Sequence, residues 1–142
     1  MSNIVELSRR IMLCASHRLH STHLSDEENK QLYGKCNNPN GHGHNYVIKV
    51  SVRGEKDPIT GMVMDAAILK DYMTKAIMDV MDHKCLDKDV EYFKTQPSTA
   101  ENIAVFVWNQ LSPYMEKEKC SLHKVKIFET ENICATYKGM KA

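Results

Sequence analysis

The sequence predicts an α+β fold, in which an antiparallel sheet of four strands carries two helices on one face. Apolar residues alternate with polar ones in two N-terminal and two C-terminal segments, which is the pattern of half-buried strands. Between these segments, two stretches repeat apolar residues at i, i+3 and i+4, as an amphipathic helix requires. The order β-β-α-α-β-β leaves the sheet edges uncovered, and such edges favour oligomerisation.

The N-terminal half of the chain contains the first two strands. The odd positions of the first strand, interrupted by Arg9, carry Val5, Leu7, Ile11, Leu13, Ala15 and His17. Ser25 and Glu28 have the spacing of a capping box, which predicts a short helix ending near Tyr33. The second strand is predicted to begin near Asn45, and its apolar face carries Tyr46, Ile48, Val50 and Val52.

The C-terminal half of the chain contains both longer helices and a hairpin. Asp65 is predicted to cap a helix that reaches about Met81. The segment from Pro97 opens a second helix, in which Ser98 and Glu101 have capping-box spacing, so that Glu101 is interpreted as a cap residue. Residues 122–138 are predicted to form a hairpin, whose apolar faces carry Val125, Ile127, Ile133, Ala135 and Tyr137.

Composition and charge restrict the possible classes of function. The 142 residues are 42% hydrophobic and carry a net charge of +1, which predicts one soluble domain over 1–142 that binds neither nucleic acid nor membranes. No segment approaches the roughly 18 apolar residues of a membrane span, and the N-terminus lacks the layout of a signal peptide. Five cysteines without a Cys-x-x-Cys pair indicate a reducing, cytoplasmic setting.

Three histidines are candidates for a metal site. His42 and His44 are two residues apart, so on an extended backbone both rings point to the apolar face. His17 continues the apolar parity of the first strand, so pairing of the two strands would bring three imidazoles together. Three histidines with an open fourth position are typical of catalytic zinc. The alternative is that His42 and His44 only give a loop its polarity and that His17 is an ordinary residue at the end of a strand.

Three further positions could take part in chemistry. Cys36 precedes the histidine pair and could act as a thiolate base, although a lone cysteine more often fills a gap in the packing. Asp82 and His83 are adjacent and could shuttle a proton, or they could simply end a helix. Glu129 shares the inward parity of its strand. An inward carboxylate there could accept two donors from an amino-substituted heterocycle, such as a pterin or guanine, or pair with a lysine.

Seven segments distributed along the chain carry a family resemblance. They are CASHRL (14–19), LSDEEN (24–29), GKCNNPNGHGHNY (34–46), DPITGMVM (57–64), MDHKCLD (81–87), PSTAENIAVFVW (97–108) and KVKIFETEN (124–132). With these segments in order, the sequence resembles the animal-type 6-pyruvoyl-tetrahydropterin synthase family over nearly its full length. Ala100 departs from the family pattern, which has a second threonine there.

The resemblance implies a function and an assembly. Members of this family convert 7,8-dihydroneopterin triphosphate to 6-pyruvoyl-tetrahydropterin with elimination of triphosphate, in tetrahydrobiopterin biosynthesis. The implied enzyme is a carbon–oxygen lyase with one Zn²⁺ per subunit and a requirement for Mg²⁺. Its implied fold is the tunnelling fold (T-fold), in which trimers close a barrel and two trimers form a homohexamer, with active sites at the subunit interfaces.

The resemblance also implies roles for individual residues. The zinc histidines of the family fall on His17, His42 and His44. The catalytic cysteine falls on Cys36, and the catalytic Asp-His pair on Asp82 and His83. The glutamate that anchors the pterin falls on Glu129, with Thr99 and Glu101 near the pterin or in support.

Two rival interpretations remain at this point. The related 6-carboxy-tetrahydropterin synthases share the zinc histidines and the substrate, but the long insert before His42 and the LSDEEN segment favour the pyruvoyl enzymes. A non-enzymatic module with structural zinc is the other rival. It is disfavoured because structural zinc sites are usually closed by four protein ligands.

Overall fold

Two long antiparallel strands form the centre of the sheet. In the computed structural model, which describes residues 3–140, β1 (Ile4–His17) pairs with β2 (His42–Glu55) along its whole length. The pairing is in register from Ile4 opposite Glu55 to His17 opposite His42. β2 therefore begins at His42 and not near Asn45, because the two histidines already belong to the ladder. This register places the predicted metal ligands at one end of the sheet.

The connection between β1 and β2 contains the predicted short helix. α1 (Asp26–Tyr33) begins after Ser25, whose hydroxyl accepts a hydrogen bond from the Glu28 backbone N–H at 3.1 Å. The Glu28 carboxylate accepts the Ser25 N–H at 3.0 Å, so the predicted capping box is present. A 3₁₀ turn, Gly34–Asn37, follows α1 directly and carries Cys36.

Within residues 3–140 the sheet has five strands, in the order β3 (Lys84–Cys85), β1, β2, β4 (Ser121–Thr130) and β5 (Ile133–Tyr137). This corrects the predicted count of four antiparallel strands. β4 and β5 form the predicted hairpin. β3 pairs in parallel with Ala15 and Ser16 of β1, so the sheet is mixed. Two residues are too few to show any periodicity in the sequence, and this strand exists because the Asp82–His83 segment is hydrogen-bonded to the β1 edge.

The helices occupy the middle of the chain and cover one face of the sheet. α2 (Ala66–Met73) begins after Asp65, whose side chain accepts the Ala67 N–H at 2.8 Å. It continues through a π-helical turn, Thr74–Met78, into α3 (Asp79–Met81), so the predicted end near Met81 is confirmed. α4 (Leu86–Asp89) and the 3₁₀ turn Glu91–Lys94 lead to α5 (Ala100–Met115), and α5 lies against β4 and β5.

The N-cap of α5 differs from the prediction. Thr99 caps this helix, and its hydroxyl accepts the Asn102 N–H at 3.2 Å. Ser98 does not cap it, because the Ser98 hydroxyl donates to the Asp87 carboxylate at 2.6 Å. The predicted capping box of Ser98 and Glu101 is therefore wrong, and Glu101 is an exposed residue of the first helical turn.

The hydrophobic core lies between the sheet and the helices. Its fully buried members come from the inward strand faces and from the helix faces opposite them: Leu13, Tyr46, Ile48, Val50, Val52, Leu69, Met73, Ile77, Met81, Leu86, Ile103, Val107, Leu111, Val125 and Ile127. The predicted inward faces are confirmed except near the strand ends, where Val5 and Ile133 are 42% and 53% exposed. Within residues 3–140, every helix is too short or too polar to cross a bilayer.

Candidate active site

His17 is the most deeply placed of the candidate site residues. It ends β1 on the inward face and has no exposed surface. Its Nδ1 lies 2.8 Å from the Ser98 carbonyl oxygen, and because a carbonyl can only accept, Nδ1 carries the proton. Burial lowers the pKa of His17 below its ordinary value. The neutral ring therefore turns an unprotonated Nε2 toward the other histidines.

His42 and His44 approach His17 from β2. The three ring centroids lie 4.7 to 5.2 Å apart, and the His17 and His42 Nε2 atoms are 3.1 Å apart. Gly41 makes this approach possible, because a Cβ there would lie 3.0 Å from the His17 carbonyl oxygen. Its φ of 73° is also one that glycine adopts readily. The structure thus brings together the three imidazoles that strand parity predicts.

The three histidines have the properties of a metal site. One ring nitrogen of each lies within 4.8 Å of the others, so the set could hold one ion. The buried His44 Nε2 has no hydrogen-bond partner among the described residues, which is unusual for a buried polar atom. Burial lowers the pKa of His44 as well. Neutral imidazoles are the form that binds metal, and this donor set is compatible with Zn²⁺.

Glu129 and Tyr46 border the same cluster. Glu129, on β4, is half-buried, and its Oε1 lies 3.7 Å from His44 Nε2. The Tyr46 hydroxyl lies 3.2 Å from His17 Nδ1. Burial, with the negative charge of Glu129, raises the pKa of Tyr46, so its phenol keeps its proton. The sequence pattern predicts for Tyr46 only a place in the core, although this residue continues the parity of His42 and His44.

A hydrogen-bonded chain that sequence analysis missed supports His17 from behind. The carbonyl oxygen of Ser98 accepts the hydrogen bond from His17 Nδ1. Ser98 is fully buried, and its hydroxyl donates a hydrogen bond to the Asp87 carboxylate. The second Asp87 oxygen accepts the Arg18 backbone N–H. These residues are far apart in sequence, and no spacing pattern connects them. Their contacts hold the ring of His17 in one orientation, as the outer partners of metal ligands do.

Cys36 lies near the cluster without joining it. It sits half-buried in the 3₁₀ turn, and its carbonyl accepts the Leu19 N–H at 2.9 Å. Leu19 is two residues from His17, so this hydrogen bond ties the turn that carries Cys36 to the segment that follows the buried histidine.

The Asp82–His83 pair lies apart from the other candidates. Its two side chains are joined at 2.7 Å, and His83 is 79% exposed. Asp82 accepts the Cys14 N–H at 3.1 Å. Although desolvation raises the pKa of Asp82, hydrogen bonds from Cys14 and His83 lower it below its ordinary value. Within residues 3–140, no hydrogen bond or ion pair joins this pair to Cys36 or to the three histidines.

Thr99 and Glu101 are not brought into the cluster either. Thr99 is half-buried beside Ser98 and uses its hydroxyl to cap α5, whereas Glu101 faces solvent. Their predicted contacts with a bound pterin stay predictions. Fold and site together define a class: an α+β protein with a three-histidine cluster at one end of its sheet that could hold a metal ion.

Comparison with known proteins identifies the family. The chain belongs to the 6-pyruvoyl tetrahydropterin synthase family, whose model matches residues 6–140. It is 57% identical over 134 residues to the 6-pyruvoyl tetrahydrobiopterin synthase of Homo sapiens, covering 94% of this chain and 91% of that one. The solved 6-pyruvoyl tetrahydropterin synthase of Caenorhabditis elegans superposes with a TM-score of 0.92 at 52% identity, over 96% of both chains.

A more distant relative carries a different name. The 6-carboxy-5,6,7,8-tetrahydropterin synthase of Rickettsia bellii is 30% identical, over 91% of this chain and 96% of that one. The much higher identity to the pyruvoyl enzymes agrees with the resemblance that the motifs show.

Proposed function

We propose that this chain converts 7,8-dihydroneopterin triphosphate to 6-pyruvoyl-tetrahydropterin with elimination of triphosphate, in tetrahydrobiopterin biosynthesis. The observation that carries the proposal is the cluster of His17, His42 and His44, in which His44 Nε2 has no hydrogen-bond partner within residues 3–140, in a member of this family. The enzyme would be a zinc-dependent carbon–oxygen lyase.

Each candidate residue has a role in the proposed reaction. His17, His42 and His44 would hold zinc, which polarises substrate oxygens and acidifies the neighbouring C–H bonds when bound. Cys36, as a thiolate, would remove and return those protons, with Asp82 and His83 relaying them. Hydrogen moves from the substrate side chain to its ring, so no nicotinamide is needed.

Glu129 would orient the pterin. Its carboxylate lies at the inward end of β4, beside the cluster, where it can accept two donors from the pterin ring. A pterin fixed there would present only its side chain to the metal. Thr99 and Glu101, at the N-terminus of α5, would support the ring from the neighbouring segment.

The proposal extends to composition and assembly. It includes one Zn²⁺ per subunit, a requirement for Mg²⁺, one domain over 1–142 and a cytoplasmic location. It also includes a homohexamer of two stacked trimers, each closing a T-fold barrel. The open edges of the sheet support this assembly: β5 has a neighbour on one side, and β3 covers only two residues of β1.

Glu129→Gln is expected to raise KM about 10- to 100-fold, because the amide keeps the size of the side chain but replaces one of the two acceptor oxygens with a donor. Steady-state kinetics with dihydroneopterin triphosphate would measure the change. The matched control is Glu131→Gln, an exposed position two residues further on, which should leave KM unchanged. An unchanged KM in Glu129→Gln would contradict the anchoring role.

The position of the Asp82–His83 pair suggests that it acts in the site of a neighbouring subunit. His83 is 79% exposed, and within residues 3–140 no hydrogen bond or ion pair joins the pair to Cys36 of its own chain. The family's active sites are expected at subunit interfaces. Cys36→Ala and His83→Ala should each be nearly inactive. Co-assembled in equal amounts, they should restore about a quarter of the sites, because a complete site then needs one intact residue from each neighbour.

This complementation has a direct control. The same two variants mixed as folded proteins, without subunit exchange, should stay inactive. If co-assembly also restores nothing, the pair does not act across the interface.

Identification of the product tests the proposed function against its nearest rival. The zinc-loaded protein should release triphosphate from dihydroneopterin triphosphate and form 6-pyruvoyl-tetrahydropterin, as measured by mass spectrometry. A 6-carboxy product with acetaldehyde would instead make this chain a 6-carboxy-tetrahydropterin synthase. A structural-zinc module would form no product at all.

A further inference from the structure

Asn37 is a buried polar residue with an unusual set of contacts. It is 3% exposed and follows Cys36 in the 3₁₀ turn. Its amide nitrogen donates to the Leu19 carbonyl at 2.8 Å and to His20 Nδ1 at 3.0 Å. Its amide oxygen accepts from Arg18 Nη2 at 3.4 Å, and its backbone carbonyl accepts from Arg18 Nε at 2.8 Å.

All of these partners come from one segment of the chain. Residues 18–20 directly follow His17, the buried histidine of the cluster. The same segment donates the Leu19 N–H to the Cys36 carbonyl at 2.9 Å. Asn37 therefore joins the turn that carries the thiol to the strand end that carries the proposed metal ligand.

The chemistry of an amide is needed at this position. The side chain must donate to a carbonyl and accept from a guanidinium at once, which neither aspartate nor leucine can do. Removing such a buried amide leaves its partners without hydrogen bonds, and this favours rearrangement of the turn. Buried polar groups with all their hydrogen bonds made tend to fix one arrangement of the chain around them.

The next residue provides a contrast. Asn38 has the same side chain but is exposed, and among the described residues its amide oxygen accepts only the Asn40 N–H, within its own loop. Nothing in its contacts connects the turn to His17. Of the two adjacent asparagines, Asn37 alone uses its side chain to bond the segment 18–20 that follows His17.

We propose that Asn37 is a positioning residue, which together with Arg18 fixes Cys36 relative to His17. This inference rests on the proposed role of Cys36 as the proton acceptor. A displacement of about 1 Å at a reacting group can cost roughly 100-fold in rate. Loosening the turn should therefore slow the chemical step without changing how the pterin or the metal is held.

The test compares Asn37→Ala with Asn38→Ala in the zinc-loaded enzyme. For Asn37→Ala we expect kcat to fall about 10- to 100-fold, with KM and zinc content within about twofold of wild type. Hydrogen–deuterium exchange of the Leu19 amide should be at least about tenfold faster, because that amide bonds to the Cys36 carbonyl. Asn38→Ala should match wild type within about threefold in both measurements.

Two outcomes of the kinetic comparison would overturn the inference. One is a kcat within twofold of wild type per zinc-loaded Asn37→Ala molecule, which would make Asn37 a packing residue only. The other is an equal loss in Asn38→Ala. If Asn37→Ala does not fold, the isosteric Asn37→Asp, which cannot donate to the Leu19 carbonyl, is measured in the same way and against the same outcomes.

The exchange measurement also separates this inference from the proposed function. If the wild-type protein does not turn over dihydroneopterin triphosphate, the proposed function fails, but exchange at Leu19 can still be compared. Faster exchange of the Leu19 amide in Asn37→Ala, but not in Asn38→Ala, supports the proposal that Asn37 restrains the turn. Unchanged exchange overturns it, whatever the substrate.

Discussion

Replacing Cys36 with alanine should lower kcat by a factor of about 1,000 or more and leave zinc in place. The loss is large because the proposed proton acceptor is removed outright. Zinc should stay because Cys36 is not one of the three clustered histidine ligands. The turn should also stay in place, because the hydrogen bond between Cys36 and Leu19 uses the Cys36 backbone carbonyl. Turnover and metal content of the same preparation would measure both effects.

A second cysteine provides the control for this experiment. Cys134 is exposed on β5, and Cys134→Ala should retain wild-type turnover. Full activity in Cys36→Ala would mean that Cys36 only fills space and that the proposed proton transfer is wrong. Loss of zinc together with activity would instead place Cys36 among the metal ligands.

His42→Ala should reduce bound zinc from one per chain to less than about 0.1 and abolish turnover. Two histidines would then remain, and two ligands seldom retain zinc. The fold should survive, because His42 is half-buried and the ladder between β1 and β2 depends on the backbone. Metal analysis, turnover and thermal unfolding together would separate loss of the metal from loss of the fold.

An exposed histidine provides the matched control. His23→Ala should keep full metal content and activity, since His23 lies outside the cluster. Treating the wild-type protein with a chelator should reproduce the inactivity of His42→Ala, and adding zinc back should restore only the wild-type protein. Full activity of His42→Ala would contradict the proposed metal role.

The convergence of the three histidines could be predicted from the sequence, because strand parity is a strong constraint. His42 and His44 differ by two residues, and His17 shares the inward parity of the strand opposite. Residues two apart on one strand share a face, and residues paired across two strands also share a face, so the inward residues of both strands meet on the same side of the sheet. The register that brings their ends together follows from the long uninterrupted pairing of β1 and β2.

Other features could not be predicted because they depend on contacts between distant segments. Ser98 has the spacing of a cap residue, but its hydroxyl bonds to Asp87, so Thr99 caps the helix instead. The two residues of β3 form a strand only because their segment meets the edge of β1. Val5 and Ile133 have the correct parity for burial, yet they lie at the ends of their strands and are exposed.

A crystal structure of the zinc-loaded protein with a bound pterin tests the account most directly. We predict an anomalous zinc peak at roughly 2.0–2.1 Å from one nitrogen each of His17, His42 and His44. The pterin should bind with its amino-substituted edge on Glu129 and its side chain toward the metal. Zinc bound elsewhere, or a pterin that does not contact Glu129, would contradict the proposed site.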